Sequence, residues 1–87
     1  MKNKIFNSIS ILSDRNNIVN VVSKNIGKKI KKLRLKYNLS GSALAEVIGI
    51  SQQQLSRYEN GQSDISTSKI IIISIYFNVD VSYFFDE

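Results

Sequence analysis

The segment that most constrains the fold is Ile50 to Gly61, with the sequence ISQQQLSRYENG. Ser51 is a favourable helix N-cap because its hydroxyl oxygen can accept hydrogen bonds from backbone N–H groups two or three residues further on. Gly61 can adopt the left-handed conformation that commonly ends a helix. Both ends of one short helix are therefore marked, and the rest of the chain has to supply a surface on which this helix packs.

This short helix has two unlike faces. At about 100° per residue, its polar side chains fall within an arc of about 140°, whereas Leu55 and Tyr58 point to the opposite side and would anchor the helix in a core. Because glutamine can bond bidentately to adenine and arginine to guanine, such a polar face suits reading the edges of bases. The polar face consists of Gln52, Gln53, Ser56, Arg57 and Asn60.

The composition limits the classes of function. The chain has 87 residues, of which 43% are hydrophobic, and this is enough for one small core and hence one domain. It contains neither cysteine nor histidine, which removes the commonest zinc ligands and the commonest general base. We therefore expect no metal site, no cofactor and no enzymatic activity, and no small-molecule site is evident.

Positive charge is concentrated in one part of the chain. The formal net charge is +5, and the interval from Lys24 to Lys36 is rich in lysine, with no acidic residue between Asp14 and Glu46. Such a concentration attracts polyanions, although a solvated helix face would have the same composition. The longest unbroken apolar run, Ile70 to Ile73, is far shorter than the roughly 20 residues of a membrane span, and no signal-peptide core is evident. We expect a cytoplasmic protein.

The chain is predicted to divide into an N-terminal arm, residues 1–16, and a helical domain, residues 17–87. The arm is expected either to be disordered or to form a short strand that pairs with a second copy of the chain.

Apolar residues at spacings of three and four predict a first long helix whose centre is Ile26 to Tyr37. This helix is expected either to begin near Asn17 or to break near Asn25, because Gly27 costs a helix about 1 kcal/mol relative to alanine. The apolar stripe consists of Val19, Val22, Ile26, Ile30, Leu33 and Tyr37.

A second helix is predicted from Gly41 to Ile48, with Ser40 as its N-cap and Asn38 in a left-handed conformation before it. Gly49 would end it, and Ser51 starts the polar helix two residues later. Two short helices joined by a tight turn that contains glycine form a helix-turn-helix.

A fourth helix, capped by Ser66, is predicted to include Ile70 to Phe77. The run IIIISIYF is β-branched and would favour a strand by propensity alone. Helix is preferred because two-residue alternation is absent and the Ser-Thr-Ser start is typical of a helix cap. Asn78 would end this helix, and Asp80 would cap a last turn.

In this order, the motifs resemble the Cro/CI-type, or XRE-like, helix-turn-helix family of bacterial and phage transcription regulators. The similarity runs from Ile26 to Phe85 and rests on IGKKIKKLR, LSGSALAEVIGIS, QQQLSRYENG and FNVDVSYFF. It implies an all-α, five-helix fold like that of lambda repressor. The segment SQQQLSRYENG is most similar to small regulators associated with fimbrial operons in enteric bacteria, which implies control of fimbrial or motility genes.

The resemblance also implies roles for individual residues. Family members place the third helix in the major groove, so Gln52, Gln53, Ser56 and Arg57 are expected to face bases, with Ser51 beside the phosphate backbone. Arg34 is expected to form an ion pair with Glu59. Many members begin the second helix with a glutamine that contacts phosphate, whereas this chain has Gly41. Phosphate contacts are therefore expected to shift toward the lysines of the first helix, with the N-terminal arm as a second candidate. The expected phosphate contacts are Ser51, Lys28, Lys32 and Asn60.

The fourth helix is apolar on nearly every side, which is more surface than one small core can bury, so a second subunit is expected to cover part of it. The predicted dimer interface consists of Ile72, Ile75, Tyr83, Phe84 and Phe85.

The leading hypothesis is a transcription regulator that binds double-stranded DNA as a homodimer and acts at the nucleoid. The alternative is an antitoxin-like module in which the apolar fourth and fifth helices bind a different protein. A basic helix lying on a membrane surface is a third hypothesis, but the apolar stripe of the first helix is better explained as core.

Overall fold

In the computed structural model, which describes residues 15–86, the chain forms four α-helices and one 3₁₀ helix. No strand occurs within those residues. The elements are α1 (Arg15–Lys36), α2 (Gly41–Ile48), α3 (Gln52–Glu59), α4 (Thr67–Phe77) and the 3₁₀ helix Val81–Phe85. The all-α prediction is confirmed, while the fifth predicted helix is a short 3₁₀ segment. Of the predicted arm, residues 1–14 lie outside the described residues.

Helix α1 is a continuous helix of 22 residues. It begins at Arg15, close to the expected start near Asn17, and passes through Asn25 and Gly27 without interruption. Of the two alternatives, the extended helix is confirmed and the break near Asn25 is wrong. Its buried face follows the centre of the predicted apolar stripe, whereas Val19 and Tyr37 at the two ends of that stripe remain about half exposed. Basic side chains in the last turn interact favourably with the helix dipole.

Every later element is capped by a polar side chain at its N-terminus. Ser40, Ser51, Ser66 and Asp80 each accept a hydrogen bond from a backbone N–H group at 3.0–3.4 Å, which satisfies a donor that the helix itself leaves unpaired. Left-handed residues mark the C-terminal ends, at Asn38, Gly49, Gly61 and Asn78. These caps were predicted from sequence, and the structure confirms them.

Each of the five elements contributes one fully buried side chain to the core. Burying a large apolar side chain contributes about 1.5–3 kcal/mol, so these residues hold all five elements together. They are Ile30, Leu44, Leu55, Ile73 and Phe84. Phe84 is 0% exposed within the single chain, and its predicted place in a dimer interface is therefore wrong, because a side chain enclosed by its own protomer cannot contact another.

Helix α4 forms despite its β-branched run because its apolar residues match a helical period. Ile70, Ile73 and Phe77 are buried at spacings of three and four, and this packing outweighs the strand propensity. The Ser74 hydroxyl donates to the Ile71 carbonyl at 2.8 Å, so its buried oxygen is satisfied. No helix in residues 15–86 is both long and apolar enough to cross a membrane.

Candidate nucleic-acid interface

The outer face of α3 is polar and exposed along its whole length. Gln52, Gln53, Ser56 and Arg57 are all exposed, while Leu55 and Tyr58 on the opposite side are buried. The structure therefore brings the four predicted base-reading residues together on one accessible surface. Because α3 packs against both α1 and α2, this surface is held on a rigid support.

Weak polar contacts along α3 influence where these side chains point. The Arg57 guanidinium lies 3.5 Å from Gln54 Oε1, one turn earlier in the helix, and the Asn60 amide lies 3.4 Å from Ser56 Oγ. Both contacts are exposed and long, so the side chains can exchange them for contacts with a ligand at little cost.

The start of α3 is fixed by the turn that joins it to α2. Gly49, with φ of 81°, ends α2, and its N–H group donates a hydrogen bond to the Ala45 carbonyl at 2.9 Å. Ser51 then accepts from the Gln54 N–H group at 3.0 Å. The Ser51 side chain is exposed, and its hydroxyl proton remains available for donation to an oxygen ligand.

Lysines of α1 form a basic groove beside the C-terminal end of α3. Lys28 and Lys32 line this groove together with Asn60, so three of the four predicted phosphate contacts lie side by side. Ser51 lies at the opposite end of α3. Lys24 and Lys31 also line the groove. Lys29 lies elsewhere, with its ammonium 4.8 Å from the centre of the Tyr83 ring.

The ion pair implied by the resemblance is present in the structure. Arg34 Nε donates to Glu59 Oε2 at 2.7 Å and a second guanidinium nitrogen donates to Glu59 Oε1 at 3.0 Å, while the third bonds the Leu39 carbonyl at 3.0 Å. The hydrogen bond with Glu59 raises the pKa of Arg34 above its ordinary value. This effect outweighs desolvation, which acts to lower the pKa. The bidentate ion pair therefore fixes the C-terminal end of α3 to α1.

Two glycines allow α1 and the end of α3 to approach closely, which the sequence did not reveal. A Cβ atom at Gly27 would lie 2.2 Å from the Tyr58 carbonyl oxygen, and one at Gly61 would lie 2.8 Å from Lys24 Cα. A glycine inside a helical pattern was the available signal, because it often marks a close backbone approach. The buried Ser23 hydroxyl also donates to Asp64, which fastens the loop after α3 to α1.

The residues of the predicted dimer interface differ in how exposed they are in the structure. Ile72 and Ile75 are exposed on α4, with Ile71 and Tyr76 beside them. Phe85 is exposed to a similar degree as Ile72, and Tyr83 is partly buried against the core beneath Lys29.

In residues 15–86 no three acidic side chains converge in a way that could hold a metal ion.

Comparisons with known proteins agree with this geometry. A helix-turn-helix family model matches residues 30–84. An uncharacterized HTH-type transcriptional regulator of Rickettsia conorii is 39% identical over 72 residues, which cover 83% of this chain and 58% of that protein. The antitoxin PezA of Streptococcus pneumoniae is 52% identical over 54 residues, which cover 62% of this chain and 34% of the antitoxin. The chain thus spans little more than half the length of the first relative and a third of the second.

Solved structures share the fold. The restriction-modification controller protein C.AhdI from Aeromonas hydrophila superposes with a TM-score of 0.67 at 22% identity, over 72% of this chain and 96% of that one. A transcriptional regulator from Vibrio cholerae superposes with a TM-score of 0.68 at 27% identity, over 77% of this chain and 38% of that one. The chain contains a helix-turn-helix with a polar α3, and the helix-turn-helix family model matches it. It therefore belongs to the XRE-like helix-turn-helix family of DNA-binding transcriptional regulators.

Proposed function

We propose that the protein recognises a specific DNA sequence as a homodimer, with α3 of each protomer in the major groove. In this proposal Gln52 and Gln53 are the main base-reading residues, followed by Arg57 and then Ser56. Two recognition helices related by twofold symmetry would contact successive major-groove faces about 34 Å apart.

The main support for the proposal is that the exposed polar face of α3 is continuous with the basic groove. Glutamine and arginine side chains supply the paired donors and acceptors that distinguish bases. Lys28, Lys32 and Asn60 lie at one end of that face, where ammonium and amide groups suit phosphate oxygens. Ser51 at the other end would donate to the backbone beside the first base pair.

The homodimer is supported by the exposed apolar residues of α4. Ile71, Ile72 and Ile75 are 44%, 40% and 74% exposed, and isoleucines grouped on one helix in this way are typical of an interface. A second copy of the chain that packed on this face would remove them from water and set the spacing of the two α3 helices.

The experiment compares three single variants on a DNA site selected from random sequence. Arg57→Ala should weaken binding to that site by roughly 1–3 kcal/mol and relax preference at one base pair. Lys32→Ala should weaken binding to all sequences alike and lower the slope of log affinity against log salt by about 1. Lys29→Ala is the matched control, because it removes the same charge from α1 at a position directed toward Tyr83.

Wild-type binding and wild-type salt dependence in both Arg57→Ala and Lys32→Ala would refute this assignment of roles. A loss in Lys29→Ala equal to that in Lys32→Ala would show that net charge, and not the groove, governs binding.

A second candidate function, that of an antitoxin-like module, is favoured by the similarity to PezA together with the apolar face of α4. In that case the isoleucines would contact a different protein. Light scattering separates the two candidates: a stable dimer supports self-association, whereas a monomer that aggregates until it is co-expressed with a partner supports the antitoxin.

The remaining parts of the proposal concern where and on which genes the protein acts. A DNA-binding regulator would act on the chromosome, at the nucleoid in the cytoplasm. The proposed control of fimbrial or motility genes rests only on the amino-acid sequence of the α3 segment. Mapping the bound sites in cells tests this part of the proposal.

A further inference from the structure

One acidic side chain lies beside the basic groove without an ion-pair partner. Asp64 belongs to the loop after α3, and its exposed carboxylate accepts a hydrogen bond from the buried hydroxyl of Ser23 on α1. No lysine or arginine of residues 15–86 forms an ion pair with this carboxylate, whereas Glu59, which lines the groove, is paired with Arg34. Asp64 therefore carries an uncompensated negative charge next to a surface built from lysines.

The carboxylate is held within reach of a groove lysine. Ser23 immediately precedes Lys24, so their Cα atoms are about 3.8 Å apart, and Lys24 lines the groove. A Cβ atom at Gly61 would lie 2.5 Å from Lys24 Cγ, so the backbone that leads into the Asp64 loop touches the stem of this lysine. Because the Lys24 side chain is exposed and flexible, its ammonium can reach the Asp64 carboxylate once that group leaves Ser23.

Two partners thus compete for the Asp64 carboxylate. The Ser23 hydroxyl is buried, and a buried donor without an acceptor is costly, so its hydrogen bond to a charged group favours the observed arrangement. An exposed pair of an ammonium and a carboxylate gains little, and changes an equilibrium by no more than about fivefold. Ser23 therefore outcompetes Lys24, and the lysine ammonium stays available to a phosphate.

We propose that Ser23 is a positioning residue that holds the Asp64 carboxylate outside the basic groove, and that Lys24 thereby serves as a further phosphate contact. Without the serine hydroxyl, Asp64 would pair with Lys24, and a DNA phosphate would have to displace the carboxylate in order to bind there. The inference rests on the proposed function, since it assumes that the groove binds DNA phosphates. The effect applies to every DNA sequence alike, because phosphate contacts carry no base identity.

The test measures the affinity of the protein for a selected site and for an unrelated duplex over a range of salt concentrations. Ser23→Ala should weaken binding to both duplexes by up to about fivefold and lower the slope of log affinity against log salt by up to about 1. Lys24→Ala should lower the slope by about 1, because one phosphate contact is lost. Asp64→Asn should bind at least as tightly as wild type, since asparagine can accept from Ser23 but has no charge that pairs with lysine.

The double variant Ser23→Ala/Asp64→Asn separates positioning from a structural role of the serine. It should bind DNA as Asp64→Asn does, because no carboxylate remains to occupy Lys24. A serine needed only for packing or for the order of the loop would leave the double variant as weak as Ser23→Ala.

Two matched controls lie away from the groove. Ser74→Ala removes a buried hydroxyl from α4, and Glu46→Gln removes an exposed carboxylate from α2. We expect wild-type salt slopes in both. Thermal unfolding shows whether each variant is folded at the assay temperature, and Lys24→Ala, at an exposed position, tests the inference even if Ser23→Ala unfolds.

Wild-type affinity and salt slope in Ser23→Ala, alongside a lowered slope in Lys32→Ala, would overturn the inference and leave the proposed function standing. A double variant as weak as Ser23→Ala, or a wild-type slope in Lys24→Ala, would overturn the inference as well. A wild-type slope in Lys32→Ala would instead contradict the role of the groove in the proposed function.

Discussion

Replacing Gly27 by alanine should destabilise the protein, although alanine is the better helix former. In an exposed helix the substitution would stabilise by about 1 kcal/mol. Here the new Cβ would lie 2.2 Å from the Tyr58 carbonyl oxygen and 2.7 Å from that of Glu59. Ordinary contact needs about 3.4 Å, so α1 and the end of α3 would have to separate by about 1 Å.

The magnitude follows from two opposing effects. Overpacking typically costs about 1–3 kcal/mol, and we take the upper value because the atoms encountered belong to the backbone and cannot rotate away. Subtracting about 1 kcal/mol for the gain in helix propensity leaves a net loss of about 2 kcal/mol. For a domain of this size, that loss lowers the unfolding midpoint by about 8–16 °C.

Thermal unfolding followed by circular dichroism measures this effect, with Gly41→Ala as the control. At Gly41 a Cβ would meet only the flexible Gln52 side chain, at 3.4 Å, and the expected change is within about 0.5 kcal/mol. A midpoint for Gly27→Ala equal to or above that of wild type would refute the argument that backbone proximity explains this glycine.

Three further pairs of variants test other parts of the structure. Glu59→Gln should cost about 3 kcal/mol in urea unfolding, because it leaves a largely buried Arg34 charge unpaired, while Glu46→Gln on the surface should be neutral. Phe84→Ala should cost about 3–5 kcal/mol and Phe85→Ala much less; equal losses would contradict the assignment of Phe84 to the core. Ile75→Glu should convert a dimer to a folded monomer by light scattering, whereas Ile75→Leu should not, and a dimer in both would place the interface elsewhere.

The elements could be predicted from sequence wherever their signals are local. Each of the serine caps and Asp80 lies within three residues of the N–H group that it accepts from, so the sequence alone identifies it. The polar face of α3 follows from helical periodicity in the same way. The Arg34 and Glu59 pair is separated by 25 residues and came only from the family resemblance.

The interpretations that failed depended on contacts distant in sequence. Gly27 was interpreted as a weak point of α1, but its role is set by the Tyr58 carbonyl, 31 residues away. Phe84 and Phe85 are adjacent aromatic residues, and only the packing of the 3₁₀ helix on α1 decides that the first is buried and the second exposed. The contact of Ser23 with Asp64 spans 41 residues and has no local signature.

The central claim is that the exposed face of α3 reads bases in a twofold-symmetric site, and selection of bound sequences from random double-stranded DNA tests it most directly. Wild type and Arg57→Ala are selected in parallel. We predict that wild type enriches a pseudo-palindrome whose half-sites are centred about 34 Å, or roughly 10 base pairs, apart, and that Arg57→Ala enriches the same motif with one base pair per half-site relaxed. No enriched motif with wild type, or identical motifs with both proteins, would contradict the claim.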